Sequence, residues 1–350
     1  MKLGNIGGLL EEQEISASAP CRIDFGGTLD IGSFHYPLHH LAPATLNIAL
    51  DRRTSVTLAP GGDDRIHISA AGIDAAAFAP ASAPYDHPLG LMFAVADYFG
   101  AAGVHIRIAS ASPPKSGLGG SSVAAVALIG AFSKVVRRLG GQPPSRKRLV
   151  LLAHAIEQGA AGVPCGLQDQ LAAAFGGVNL WSWPADPGRP PFARRRLLDR
   201  KGQRRLDGCL LVAYLGVTHV SKDVNSTWVR QFVSGESRKQ WHEIVALTHA
   251  FAEALGRMDM TAAADAMNRE TAIRRAMTPH VLDDMGQALA AEAVAQGCGA
   301  RFTGAGGGGC LWAVGAPTAV AALKPVWARR LAARPTAGLI DCRIDPRGVA

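Results

Sequence analysis

Apolar and polar positions alternate with a period of two in several short stretches of this 350-residue chain, and with a helical period in longer ones. The alternation predicts strands at 15–25, 44–50, 54–59, 65–70 and 104–110, with a helix at 89–99. A long apolar run from 121 to 139 reads as a helix that stops at Gly140-Gly141. Ser145 can cap the next helix, to about 159, and a short helix follows at 168–175. In the second half, strands at 209–214, 310–314 and 338–343 frame helices at about 235–256, 260–277, 279–296 and 318–333. Residues 184–206 are rich in Pro and Arg and have no period, which predicts a linker. Residues 1–14, with Glu11, Glu12 and Glu14, read as a flexible tail. These breaks predict an N-terminal domain at 15–183 and a C-terminal domain at 207–350. Strands and helices mix in both halves, so the expected class is α+β rather than a repeating βαβ unit.

Composition narrows this picture. No run of 18 or more residues is free of polar interruption, so no membrane span is expected. The six cysteines are scattered, without C-x-x-C or zinc spacing, and read as reduced thiols of a cytoplasmic protein. The formal net charge is +8, with a basic cluster at 194–196, Lys201, Arg204 and Arg205. Only 6% of residues are aromatic and no helix-turn-helix, RRM or OB signature stands out, so a nucleic-acid partner is not expected. A positive field does favour small anionic substrates.

The candidate chemistry begins at Pro114-Lys115-Ser116-Gly117-Leu118-Gly119-Gly120-Ser121-Ser122, directly before the long apolar run. A Gly/Ser loop opening into a helix offers unpaired backbone N–H groups and the positive end of the helix dipole to an anion. Walker A is excluded, because Lys115 precedes the glycines instead of following them. The dinucleotide fingerprint is weakened at its third glycine, where Ser122 stands. A second run, Thr303-Gly304-Ala305-Gly306-Gly307-Gly308-Gly309-Cys310, holds more glycines than a turn needs. Backbone pressed against a ligand explains the excess.

Three motifs in this order resemble the GHMP kinase superfamily: 19–30, containing Arg22-Ile23-Asp24-Phe25-Gly26-Gly27-Thr28-Leu29-Asp30; Pro114 to Ser122; and Gly299 to Cys310. Val163-Pro164-Cys165-Gly166-Leu167-Gln168-Asp169-Gln170-Leu171, running on to Gly176-Gly177, is similar to a segment of its sugar kinase branch, which includes D-glycero-D-manno-heptose 7-phosphate kinase and L-fucokinase. So is Met267-Asn268-Arg269-Glu270, followed by Arg274-Arg275. Leu171 stands where those relatives carry tyrosine, and the second motif reads Gly-Leu-Gly-Gly-Ser-Ser rather than Gly-Leu-Gly-Ser-Ser.

The resemblance implies a two-domain α+β fold, with an N-terminal domain like ribosomal protein S5 and a ferredoxin-like C-terminal domain. It implies ATP and Mg²⁺ as cofactors and a sugar or sugar phosphate as acceptor. Heptose 7-phosphate phosphorylated at its anomeric hydroxyl leads; fucose, galactose, a cyclitol, a nucleoside or a mevalonate-like alcohol stay open, as does a catalytically silent sensor. No membrane partner is implied, and monomer and homodimer both remain open. Asp169 is implied as catalytic base and Arg22 as the stabiliser of the transferring phosphoryl group. Glu157, twelve residues before Asp169, is implied as magnesium ligand with Ser122 or Ser121. Residues 114–122 with Thr303, Gly304, Ala305, Gly306 and Gly307 would enclose the phosphates. Asp30, Gly26, Gly27 and Gln168 would meet the acceptor.

Overall fold

The computed structural model describes residues 2–161, 165–186, 188–217 and 221–350. Two β-sheets organise the chain. The larger runs Ile73–Phe78, Ile66–Ala70, Val104–Ser110, Ala44–Pro60, Val178–Ser182, Ala193–Arg196, and Ile15–Phe25 also pairs with Ala44–Pro60. The smaller is antiparallel throughout, in the order Gly299–Phe302, Cys310–Val314, Leu210–Tyr214, Gly338–Ile340.

The two strands expected at 44–50 and 54–59 are one, Ala44–Pro60. Pro20 pairs with Arg53 but Cys21 with Leu50, so Asp51 and Arg52 form a bulge in the long strand. That bulge hides the continuity from a period-two reading. Gly120–Arg138 packs on Ile15–Phe25 and is the central helix of the larger core. Among the described residues it alone is long and apolar enough to cross a membrane, yet 78% of its most apolar window is buried inside the protein.

The second half adds Ser221–Val233, Arg238–Gly256, Met260–Met277, Asp284–Ala295 and Pro317–Leu331. The helix expected from 279 begins at Asp284, because the Asp283 side chain accepts the Gly286 N–H and caps it there. Ser221–Val233 was not foreseen. Phe25 of the larger sheet stacks on Phe251 with ring centroids 4.1 Å apart, joining the two halves.

Three expectations about chain ends and connections are corrected. The N-terminal tail is structured: Gly4–Asn5 pairs with Ala101–Ala102, and Gly7–Glu12 is a helix. Ile6 and Leu10 are buried while Glu12 pairs with Arg138 and Glu14 with Arg107, so the acidic residues mask an apolar face. The stretch 184–206 is no plain linker, since Ala193–Arg196 adds an edge strand and Arg200–Asp207 a helix capped by Asp199. Arg194 lies over the Phe175 ring at 4.9 Å, an apolar contact that alternation cannot reveal. The last residues leave the second half, with Ile344 bridging to Leu50 and Ala350 exchanging backbone hydrogen bonds with Ser18.

Candidate active site

A cavity of about 870 Å³ opens where the glycine–serine loop meets the helix Gln168–Phe175. Pro113 to Gly117 and Gly119 to Ser122 form one wall, and Gly304 and Ala305 reach it from the second glycine run. No side chain caps the helix Gly120–Arg138, so its first N–H groups are left for whatever occupies the cavity. Gly119 takes a φ of +83°, and a Cβ there would lie 3.2 Å from the Asp169 carboxyl carbon. Glycine is therefore needed both for the backbone conformation and for the approach to Asp169. The far end of the cavity is apolar, with Ala70, Ile73, Leu89, Met92 and Ile108.

Arg22, on the buried strand Ile15–Phe25, donates from Nε to Asp169 Oδ1 at 2.7 Å. Its Nη1 donates to the Gly117 carbonyl at 2.6 Å, so the same guanidinium holds the loop. Asp169 sits in the first helical turn and lines the cavity. Burial pushes its pKa above the ordinary carboxylate value; Arg22 opposes the shift and Asp24 adds to it. Arg22 loses some basicity to burial, but Asp169 and Asp24 hold its pKa above the usual value.

Glu157 faces the same cavity from the helix Arg146–Ala161. Its Oε1 accepts from Ser122 Oγ at 2.9 Å and its Oε2 from Gln170 Nε2 at 2.6 Å. Burial, and after it the charge of Asp169, raises its pKa to about 7 against the hydrogen bond from Ser122. A carboxylate and a hydroxyl side by side at a phosphate-type loop fit the hard-oxygen preference of Mg²⁺. No group of three or more His, Cys, Asp or Glu suited to a metal occurs among the described residues. Such a site fits an ion that takes most of its ligands from phosphate and water.

Asp30 also lines the cavity and is buried; its Oδ2 accepts the Gln168 N–H at 3.0 Å, and its Oδ1 has no hydrogen-bond partner among the described residues. Burial raises its pKa to about 6, with the backbone hydrogen bond from Gln168 opposing and Asp169 reinforcing the shift. Gln168 also lines the cavity and accepts from Asn47 Nδ2 at 3.2 Å. Cys165 and Gly166 of the sequence motif border it, while Val163 and Pro164 lie outside the described residues.

Not every residue singled out by sequence reaches the cavity wall. A Cβ on Gly26 would meet Thr248 Oγ1 at 2.4 Å and one on Gly27 would meet Asp24 Oδ2 at 2.3 Å, so both face inward. Leu118 is fully buried beneath the loop. Thr303 spends its hydroxyl on the Ser116 and Cys310 carbonyls. Gly306 packs on Val281, and Gly307 donates to the Val281 carbonyl at 2.8 Å. Through its hydroxyl, Thr303 joins the two glycine loops from behind. Sequence reasoning gave no role to Asp24 and Arg301, nor to the apolar end. An acid two residues from Arg22 in an otherwise apolar strand was the available signal for Asp24.

This geometry defines a two-sheet α+β protein in which two glycine-rich loops and a buried Arg–Asp pair share one cavity. Residues 87–177, which carry the first loop, Glu157 and Asp169, match the family described as GHMP kinases N terminal domain. The chain is 26% identical over 228 residues to a mevalonate kinase of Pyrococcus horikoshii, a match covering 61% of this chain and 59% of that protein. It is 25% identical over 213 residues to the D-glycero-alpha-D-manno-heptose 7-phosphate kinase of Campylobacter jejuni, covering 59% of each. The matches thus span 59% of the length of these curated relatives. A crystal structure of a D-glycero-D-manno-heptose 1-phosphate kinase from Bacteroides thetaiotaomicron aligns with a TM-score of 0.73 at 19% identity, over 96% of this chain and 97% of that one. The fold is the two-domain α+β fold of these kinases.

Proposed function

We propose that this chain is an ATP-dependent kinase that transfers the γ-phosphoryl group to a hydroxyl of a sugar or sugar phosphate. The anomeric hydroxyl of D-glycero-D-manno-heptose 7-phosphate is the first acceptor to test. The observation that carries this reading is Asp169, ion-paired to Arg22 at 2.6 Å, between the glycine–serine loop and the free Asp30 oxygen.

In this reading the helix N-terminus holds the triphosphate, Gly304 closes over it by close backbone approach while Asp24 keeps its N–H, and the apolar end takes the base. Glu157 and Ser122 would hold Mg²⁺, which neutralises phosphate charge when bound. Asp30 accepts hydrogen bonds from acceptor hydroxyls and orients one toward the γ-phosphorus. Asp169 takes the proton of that hydroxyl as its oxygen bonds to phosphorus and the bond to ADP breaks. Arg22 keeps Asp169 oriented and offsets negative charge on the transferring group.

The likeness to a curated heptose 7-phosphate kinase supports the sugar acceptor. The likeness to mevalonate kinase favours a second reading, a mevalonate-like alcohol. Asp30 and Asp169 both line the cavity and offer carboxyl oxygens to several hydroxyls, which suits a polyhydroxyl acceptor. ADP release with Mg-ATP, measured across heptose 7-phosphate, fucose, galactose and mevalonate, tests both. Release stimulated by a sugar supports the proposal. Release with mevalonate alone selects the second reading, and no stimulated release sinks both.

A further inference from the structure

Behind the cavity, six charged side chains alternate in sign through the interior: Asp169, Arg22, Asp24, Arg301, Glu270 and Arg274. Arg22 Nη1 lies 3.5 Å from Asp24 Oδ1, and Arg301 Nη1 lies 3.1 Å from Asp24 Oδ2. Glu270 receives Arg301 Nε and Arg274 Nε, each at 2.9 Å. The Arg274 guanidinium in turn lies over Trp228 and Trp241, 4.6 and 4.4 Å from their ring centroids. The last four charges have no solvent exposure, and none lines the cavity.

Asp24 is the junction. Its Oδ1 accepts the Gly304 N–H at 2.7 Å and faces Arg22, while Arg301 of the smaller sheet fixes its Oδ2. One carboxylate therefore touches the arginine beside the proposed base and the second glycine loop. A buried ion-pair chain is weak support for stability, since removing several charges from water costs much of what their attraction returns. Position is what such a chain supplies here.

We propose that Asp24, held by Arg301, is a positioning residue. It sets Arg22 against Asp169 and Gly304 against the donor phosphates, so that the two halves of the chain present donor and base in one fixed geometry. This rests on the kinase reading above. A misplacement of about 1 Å is enough to cost on the order of a hundredfold in rate.

Asp24→Asn keeps the shape and an oxygen for the Gly304 N–H but removes the charge between two arginines. Arg301 keeps Glu270 and Arg22 keeps Asp169, so the fold has its other pairs. Steady-state kinetics should show kcat reduced roughly tenfold to a hundredfold and KM for ATP raised about tenfold, with the acceptor KM unchanged. Arg301→Lys, which keeps the charge but cannot span both Asp24 and Glu270, should shift the same constants by less. If both variants lose only thermal stability and keep kcat and the ATP KM per folded site, the inference is overturned. Should the wild type move no phosphoryl group, the kinase reading falls separately. Calorimetric Mg-ATP affinity then decides this proposal: weaker binding by Asp24→Asn supports it, and equal binding, or none by either protein, overturns it.

Discussion

At the level of single residues, the cavity is defined by carboxyl groups held in environments that resist ionisation. Glu157 and Asp30 are pushed up to about 7 and about 6, chiefly by burial. The consequence for stability has a definite sign. A carboxyl whose folded pKa is raised contributes stability below its unfolded value, and loses it as pH rises through the folded value. For Glu157 that window runs from 4.5 to about 7. With metal removed by chelator, Glu157→Gln should therefore be more stable than wild type at pH 8, by on the order of 2 kcal/mol, and equally stable at pH 4. The free Gln170 oxygen can accept the new amide once that side chain flips. Thermal melts at the two pH values check this; a pH-independent difference would contradict it. That Arg22, Glu157 and Asp169 would border one cavity was legible in the sequence because motif and spacing carried it. The unpartnered Oδ1 of Asp30 was not, since only the folded surroundings decide which oxygen finds a donor.

Among the elements, the two glycine loops lock together from behind. Gly309 has a φ of +80°, and a Cβ there would lie 2.5 Å from the Ser116 carbonyl oxygen. Gly309→Ala should destabilise the protein by about 1–3 kcal/mol, measured by chemical denaturation. It should also weaken Mg-ATP binding, because the first loop must shift to admit the methyl group. An unchanged denaturation midpoint would mean that the loops do not depend on each other. Sequence alone read both loops but placed Gly306 and Gly307 at the phosphates, whereas they pack on Val281. Composition says that backbone comes close to something; it does not say whether that partner is ligand or protein. Helices with a strong period or an Asp cap were well placed, as Met260–Met277 shows, with Asp259 accepting the Ala262 N–H. The edge strand Ala193–Arg196 escaped because all four of its residues are exposed and arginine supplies its apolar contacts.

For the whole molecule, the chain end closes the structure. The Asp345 carboxylate pairs with Arg53 and its backbone carbonyl accepts the Gly177 N–H at 2.7 Å, and Ala350 bonds to Ser18, so the terminal residues pin the strand that carries Arg22. Deleting residues 344–350 should lower the melting temperature by at least about 5 °C and reduce activity in proportion to the folded fraction. An unchanged melt would show the segment to be dispensable. No local pattern in the sequence announces this return, because its partners lie hundreds of residues away. At the centre of the proposed reaction is Asp169, the group that would receive the acceptor's proton. The most direct test measures turnover and Mg-ATP affinity together for wild type and Asp169→Asn with the best acceptor. Turnover should fall by about a hundredfold or more at unchanged nucleotide affinity; undiminished turnover by Asp169→Asn would mean that another group takes the proton.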